Sequence, residues 1–83
     1  MDTVTMYFRI EPQKIVLLKS LLEGHEGFLV FRTVDPKDGI IQLLVSPDFV
    51  TEVESVLSEI SNTIWMESVP EPSPEARRLR PQS

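Results

Sequence analysis

The chain has 83 residues, no cysteine, one histidine and a formal net charge of −5. That length suits one small domain that buries only ~60–65% of its unfolded surface, and the lack of cysteine excludes disulfide frameworks, thiolate zinc sites, iron–sulfur clusters and thiol catalysis. With no apolar run of the ~18 residues a membrane span needs and no basic-then-apolar start, the reading expects a soluble, cytoplasmic protein.

The first predicted element is a half-buried strand, because Val4, Met6, Phe8 and Ile10 alternate with Thr3, Thr5, Tyr7 and Arg9. Pro12 suits the first turn of a helix, where its missing N–H is not needed. Ile15, Leu17, Leu18, Leu21 and Leu22 form that helix's apolar stripe, and Gly24 is placed to end it in a left-handed cap. Residues 27–34, aromatic and β-branched, predict a second strand. The run Asp35-Pro36-Lys37-Asp38-Gly39 is turn chemistry, with Pro36 presetting φ and Gly39 free to take positive φ in a bulged hairpin. Ile40 to Val45 returns as the third strand.

Ser46-Pro47-Asp48 opens a second helix with an N-cap hydroxyl, an N1 proline and an early acid. Its apolar face is Phe49, Val50, Val53, Val56, Leu57 and Ile60, while Glu52, Glu54 and Glu59 face water. Thr63 to Val69 is the last strand. The order βαββαβ predicts an α+β, ferredoxin-like domain over residues 1–69: a four-stranded antiparallel sheet with both helices on one face.

Residues 70–83 hold four of the seven prolines and only two apolar side chains, Ala76 and Leu79, so a disordered tail is expected there. Counting charges on either side of that boundary gives a net of −6 for residues 1–69 and +1 for the tail, whose Arg77, Arg78 and Arg80 form the one basic cluster.

The sheet face away from the helices is the expected interaction surface. Antiparallel pairing across the hairpin, with Val34 opposite Ile40, Arg32 opposite Gln42 and Val30 opposite Leu44, sends Leu29, Phe31, Ile41, Leu43 and Val45 to the helices. The open face then carries Thr3, Thr5, Tyr7, Arg9, Phe28, Val30, Arg32, Val34, Ile40, Gln42, Leu44, Trp65, Glu67 and Val69. Eight of these are apolar or aromatic, more than a monomer normally leaves wet. The second strand also lies at a sheet edge, and Phe28-Leu29-Val30-Phe31 has no charge or proline to block pairing. A homodimer through the open face or through this edge is the expectation.

Ile10-Glu11-Pro12, a leucine-rich helix ending in Glu23-Gly24, then Glu26-Gly27, the run from Arg32 to Gly39 and Ser46-Pro47-Asp48-Phe49 resemble a small bacterial domain family of unknown function, over about residues 5–67. More distantly the topology is similar to ACT-like regulatory domains. That resemblance implies binding of amino acids or other small effectors at a dimer interface. The first strand–helix loop, Glu11-Pro12-Gln13, lacks the Asp and Gly with which ACT domains approach a ligand backbone.

Catalytic constellations do not assemble. His25 has no His or Cys companion for a metal, and as a neighbour of Glu26 it does not converge with it on one atom. Asp35 and Asp38 flank a turn proline and miss the spacing of a calcium loop. Acylphosphatase chemistry needs an anion cradle where this chain has an acidic, glycine-free loop, and a placed amide where the one asparagine, Asn62, ends a helix. No cofactor is expected. RNA binding of the RNA-recognition-motif kind would use Tyr7 with Arg9 and Arg32, but the third strand offers no aromatic and the acidic body repels phosphate.

The candidate contacts for a ligand or partner are therefore Tyr7, Arg9, Arg32, Gln42 and Trp65, with an Arg9–Glu67 contact expected at a dimer interface. The function expected is non-catalytic: a small regulatory module sensing a metabolite, or an adaptor docking a larger enzyme.

Overall fold

The computed structural model describes residues 3–25, 27 and 29–72, His25 by its backbone alone. Phe28, Glu26, the His25 side chain and the tail from 73 to 83 lie outside the described residues. The elements are strand β1 (Val4–Ile10), helix α1 (Ile15–Leu22), strands β2 (Leu29–Asp35) and β3 (Ile40–Val45), helix α2 (Val50–Ile60) and strand β4 (Met66–Ser68). The sheet runs β2-β3-β1-β4 with every neighbouring pair antiparallel. This is the ferredoxin-like α+β architecture that the element order predicts.

Alternation decides what each strand buries. In β1, Ile10 is buried and Val4, Met6 and Phe8 pack against the core, while in β3 Ile41, Leu43 and Val45 are wholly enclosed. Leu29 and Phe31 join from β2. Leu18 and Leu22 close the core from α1, and Val53, Leu57 and Ile60 from α2. No helix among the described residues is long and apolar enough to cross a membrane.

Four local details differ from the expectation. Leu17 and Leu21 are 39% and 42% exposed, because the face of this two-turn helix that meets the sheet is the narrower line of Ile15, Leu18 and Leu22. Gly24 forms no left-handed cap: α1 passes directly into a 3₁₀ turn at Glu23–His25, where the Glu23 N–H donates to the Ser20 carbonyl. At the start of α2 the Ser46 hydroxyl makes no cap; its carbonyl accepts the Phe49 N–H at 2.9 Å instead, and a 3₁₀ turn at Pro47–Phe49 leads into the helix. Thr63, Ile64, Trp65 and Val69 are not in the last strand. Thr63 and Ile64 donate their N–H to the Ile60 carbonyl at 2.8 Å in the turn that finishes α2, and β4 is the three residues Met66–Ser68.

The hairpin register is the fifth difference. Arg32 opposes Gln42 and Val30 opposes Leu44 as expected, but Ile40 faces Asp35 rather than Val34. Thr33 pairs with Ile41 and Asp35 with Ile40, so Val34 is the extra residue of a β-bulge. Asp35 ties into the turn, where its Oδ1 accepts the backbone N–H groups of Lys37 and Asp38 at 3.1 and 3.2 Å. Gly39 closes the turn with φ 73°, the positive value expected of it.

Candidate functional site: the open sheet face

The registers lay the open face out in rows. Thr5 of β1, Leu44 of β3 and Val30 of β2 stand side by side, and next to them Tyr7, Gln42 and Arg32. Beyond these come Arg9 and Ile40, with Glu67 of β4 beside Arg9. The middle row is polar and connected. Gln42 Nε2 donates to Tyr7 Oη at 2.9 Å, and both side chains are half-buried. Arg32 continues that row on the edge strand, exposed and without an ion-pair partner among the described residues. Arg9 does have its expected acid, Glu67 Oε1 at 3.8 Å, with half of each side chain in water.

The continuous apolar surface expected here breaks up. Of its eight apolar positions, Ile40 is buried although it stands apart from the core cluster, and Tyr7, Val34, Leu44 and Val69 are half-buried. Among the described residues only Val30 and Trp65, 50% and 54% exposed, project strongly, and the eighth position, Phe28, lies outside them. They sit at opposite corners, Val30 on the edge strand β2 level with the start of β1, and Trp65 just ahead of β4, past the end of β1. Among the described residues the face is thus a polar stripe with one apolar anchor at either corner.

The five candidate residues are placed accordingly. Tyr7, Gln42 and Arg32 form one row, Arg9 lies in the next and is already paired, and Trp65 stands at the far corner. A phenol, an amide and a guanidinium can bind and orient a ligand. No group of three or more metal-ligating side chains occurs among the described residues.

Sequence reading missed a groove of about 640 Å³ on the other side of β1, lined by Thr5, Phe8, Glu54, Leu57, Val69 and Glu71. It exists because β4 pairs only with Phe8–Ile10, leaving the first half of β1 unpaired on that flank. The last ladder contact is the Val69 N–H donating to the Tyr7 carbonyl at 3.0 Å. Pro70 and Pro72, one residue apart, are the sequence signal that β4 stops there.

A family model described as "Domain of unknown function (DUF4911)" matches residues 8–64, more than half of the chain. No curated protein and no solved structure matches it.

Proposed function

We propose that this chain, which belongs to the DUF4911 family, is a non-catalytic regulatory module that binds a small carboxylate-bearing molecule at Arg32, beside the Tyr7–Gln42 pair. One observation carries the reading: of the two arginines on the open face, Arg9 has an acid and Arg32 has none among the described residues. A guanidinium offers a planar fork of donors that matches a carboxylate two bonds at a time. Gln42 lies directly across the ladder from Arg32 and supplies a second polar group at the same level of the sheet. The similarity of the topology to ACT-like domains supports a sensing role without supplying a ligand loop.

The test is a thermal-unfolding screen against amino acids, organic acids and nucleotides. A ligand at 100 times its dissociation constant adds ~2.7 kcal/mol, which moves the midpoint of a domain this size by more than ~10 °C. Arg32→Gln should abolish that shift and leave the unliganded midpoint nearly unchanged, since Arg32 is exposed. A panel with no shift favours the second reading, an adaptor that docks a larger protein. The exposed Val30 and Trp65 support that one.

A further inference from the structure

We propose that the outer edge of β2 pairs antiparallel with β2 of a second copy of this chain, joining two four-stranded sheets into one of eight strands. The two edges of the sheet are unlike. β4 is three residues long and runs into Pro70 and Pro72, both of which are ways of blunting an edge. β2 is seven residues long, carries no proline and has one charged side chain, Arg32, before its last residue.

The ladder shows which backbone groups the β2 edge offers. The Ile10 N–H donates to the Gly39 carbonyl, so the even residues of β1 turn toward β3 and the odd ones toward β4, as the Val69 bond to Tyr7 confirms. Carried through the registers, Val30 and Arg32 turn their peptide groups toward β3. Leu29, Phe31 and Thr33 turn theirs outward, away from every strand of this sheet. That is a run of donors and acceptors at the spacing a second strand requires.

The side chains beside the edge are self-complementary. A groove of about 300 Å³ between α1 and β2 is lined by Lys19, Leu22, Glu23, Leu29, Val30 and Phe31. Lys19 and Glu23 are opposite charges one helical turn apart, so a two-fold axis between them brings Lys19 of each copy toward Glu23 of the other. Val16, 76% exposed, shares that side of α1 at i, i+3, i+7 spacing.

Charge and apolar matching choose the register. Centring the two-fold on Arg32 would set two guanidiniums in the closest kind of cross-strand pair. Centring it on Phe31 would set each Val30 beside an Arg32. Centring it on Val30 matches the exposed valine with its own copy and lets Leu29 and Phe31 exchange backbone hydrogen bonds. The geometry points to that last arrangement.

The experiment uses the full chain and two variants at Val30, an exposed position outside the core cluster. Mass in solution is measured by light scattering, against 9.5 kDa for one copy. The expected result is a dimer for the natural chain, a monomer with an unchanged circular-dichroism spectrum for Val30→Lys, and a disulfide-linked dimer on mild oxidation of Val30→Cys. The chain contains no other cysteine, and Cα atoms in a close antiparallel pair stand ~4.5 Å apart, within disulfide range. A natural chain that stays at one copy at tens of micromolar overturns the proposal. So does a dimer that survives Val30→Lys and fails to cross-link, since it would then use another surface. Arg32→Gln is expected to leave the mass unchanged, which keeps this outcome separate from that of the ligand screen.

Discussion

Gly39 and Ile10 hold the hairpin turn against the end of β1. The Ile10 N–H donates to the Gly39 carbonyl at 2.8 Å, and a Cβ built on Gly39 would run into the Ile10 carbonyl oxygen. Gly39 also has φ 73°, a conformation that side chains disfavour. Two constraints therefore coincide at one residue, and neither can relax by moving a flexible side chain.

Gly39→Ala should destabilise the domain by about 2 kcal/mol or more, the left-handed backbone costing ~1–2 kcal/mol and the contact adding to it. In a domain this small that lowers the melting midpoint by roughly 10 °C or more. Gly24→Ala is the matched control, since open space surrounds Gly24 and its φ is not positive. It should leave the midpoint unchanged or raise it slightly.

The Tyr7–Gln42 hydrogen bond is half-buried and links two central strands. Tyr7→Phe or Gln42→Leu should each cost about 1 kcal/mol. A double-mutant cycle in urea should show coupling of ~0.5–1.5 kcal/mol between them. Additive losses would mean that the bond contributes nothing in solution.

The Arg9–Glu67 pair should behave differently, because its N–O distance is 3.8 Å and both side chains are half in water. Removing either charge, by Arg9→Gln or Glu67→Gln, should cost less than ~0.5 kcal/mol. That loss should vanish in about 1 M salt, where screening reaches ~3 Å. A salt-insensitive loss above 1 kcal/mol would show that the pair is desolvated, as it would be if a second molecule covered the face.

On α1, Leu18 is wholly buried and Leu21 is 42% exposed, although both belong to the stripe read from the sequence. Leu18→Ala should cost ~2–5 kcal/mol, enough to unfold a large fraction of a marginal domain. Leu21→Ala should cost under ~1.5 kcal/mol, since it gives up only part of a buried side chain's transfer energy. Equal losses at the two positions, measured by chemical denaturation, would contradict the narrow face.

By itself the sequence determined the element order and the sheet topology. Period-two alternation in Val4–Ile10 and Ile40–Val45, the helical stripes and the turn ending in Gly39 are local signals, and a ferredoxin-like sheet is the arrangement that buries all of them at once. The Arg9–Glu67 pairing was legible too, because the strand order makes β1 and β4 neighbours and the alternation points both side chains outward. Tertiary structure decided the rest. The bulge at Val34 depends on where Asp35 sits in the turn, and the length of β4 on how many residues the end of α2 consumes. Burial of Ile40 and exposure of Leu17 and Leu21 depend on what lies above each side chain. Periodicity assigns a residue to a face of its own element. Which neighbour covers that face, and so whether an outward position is free to bind, is set only when the elements pack together.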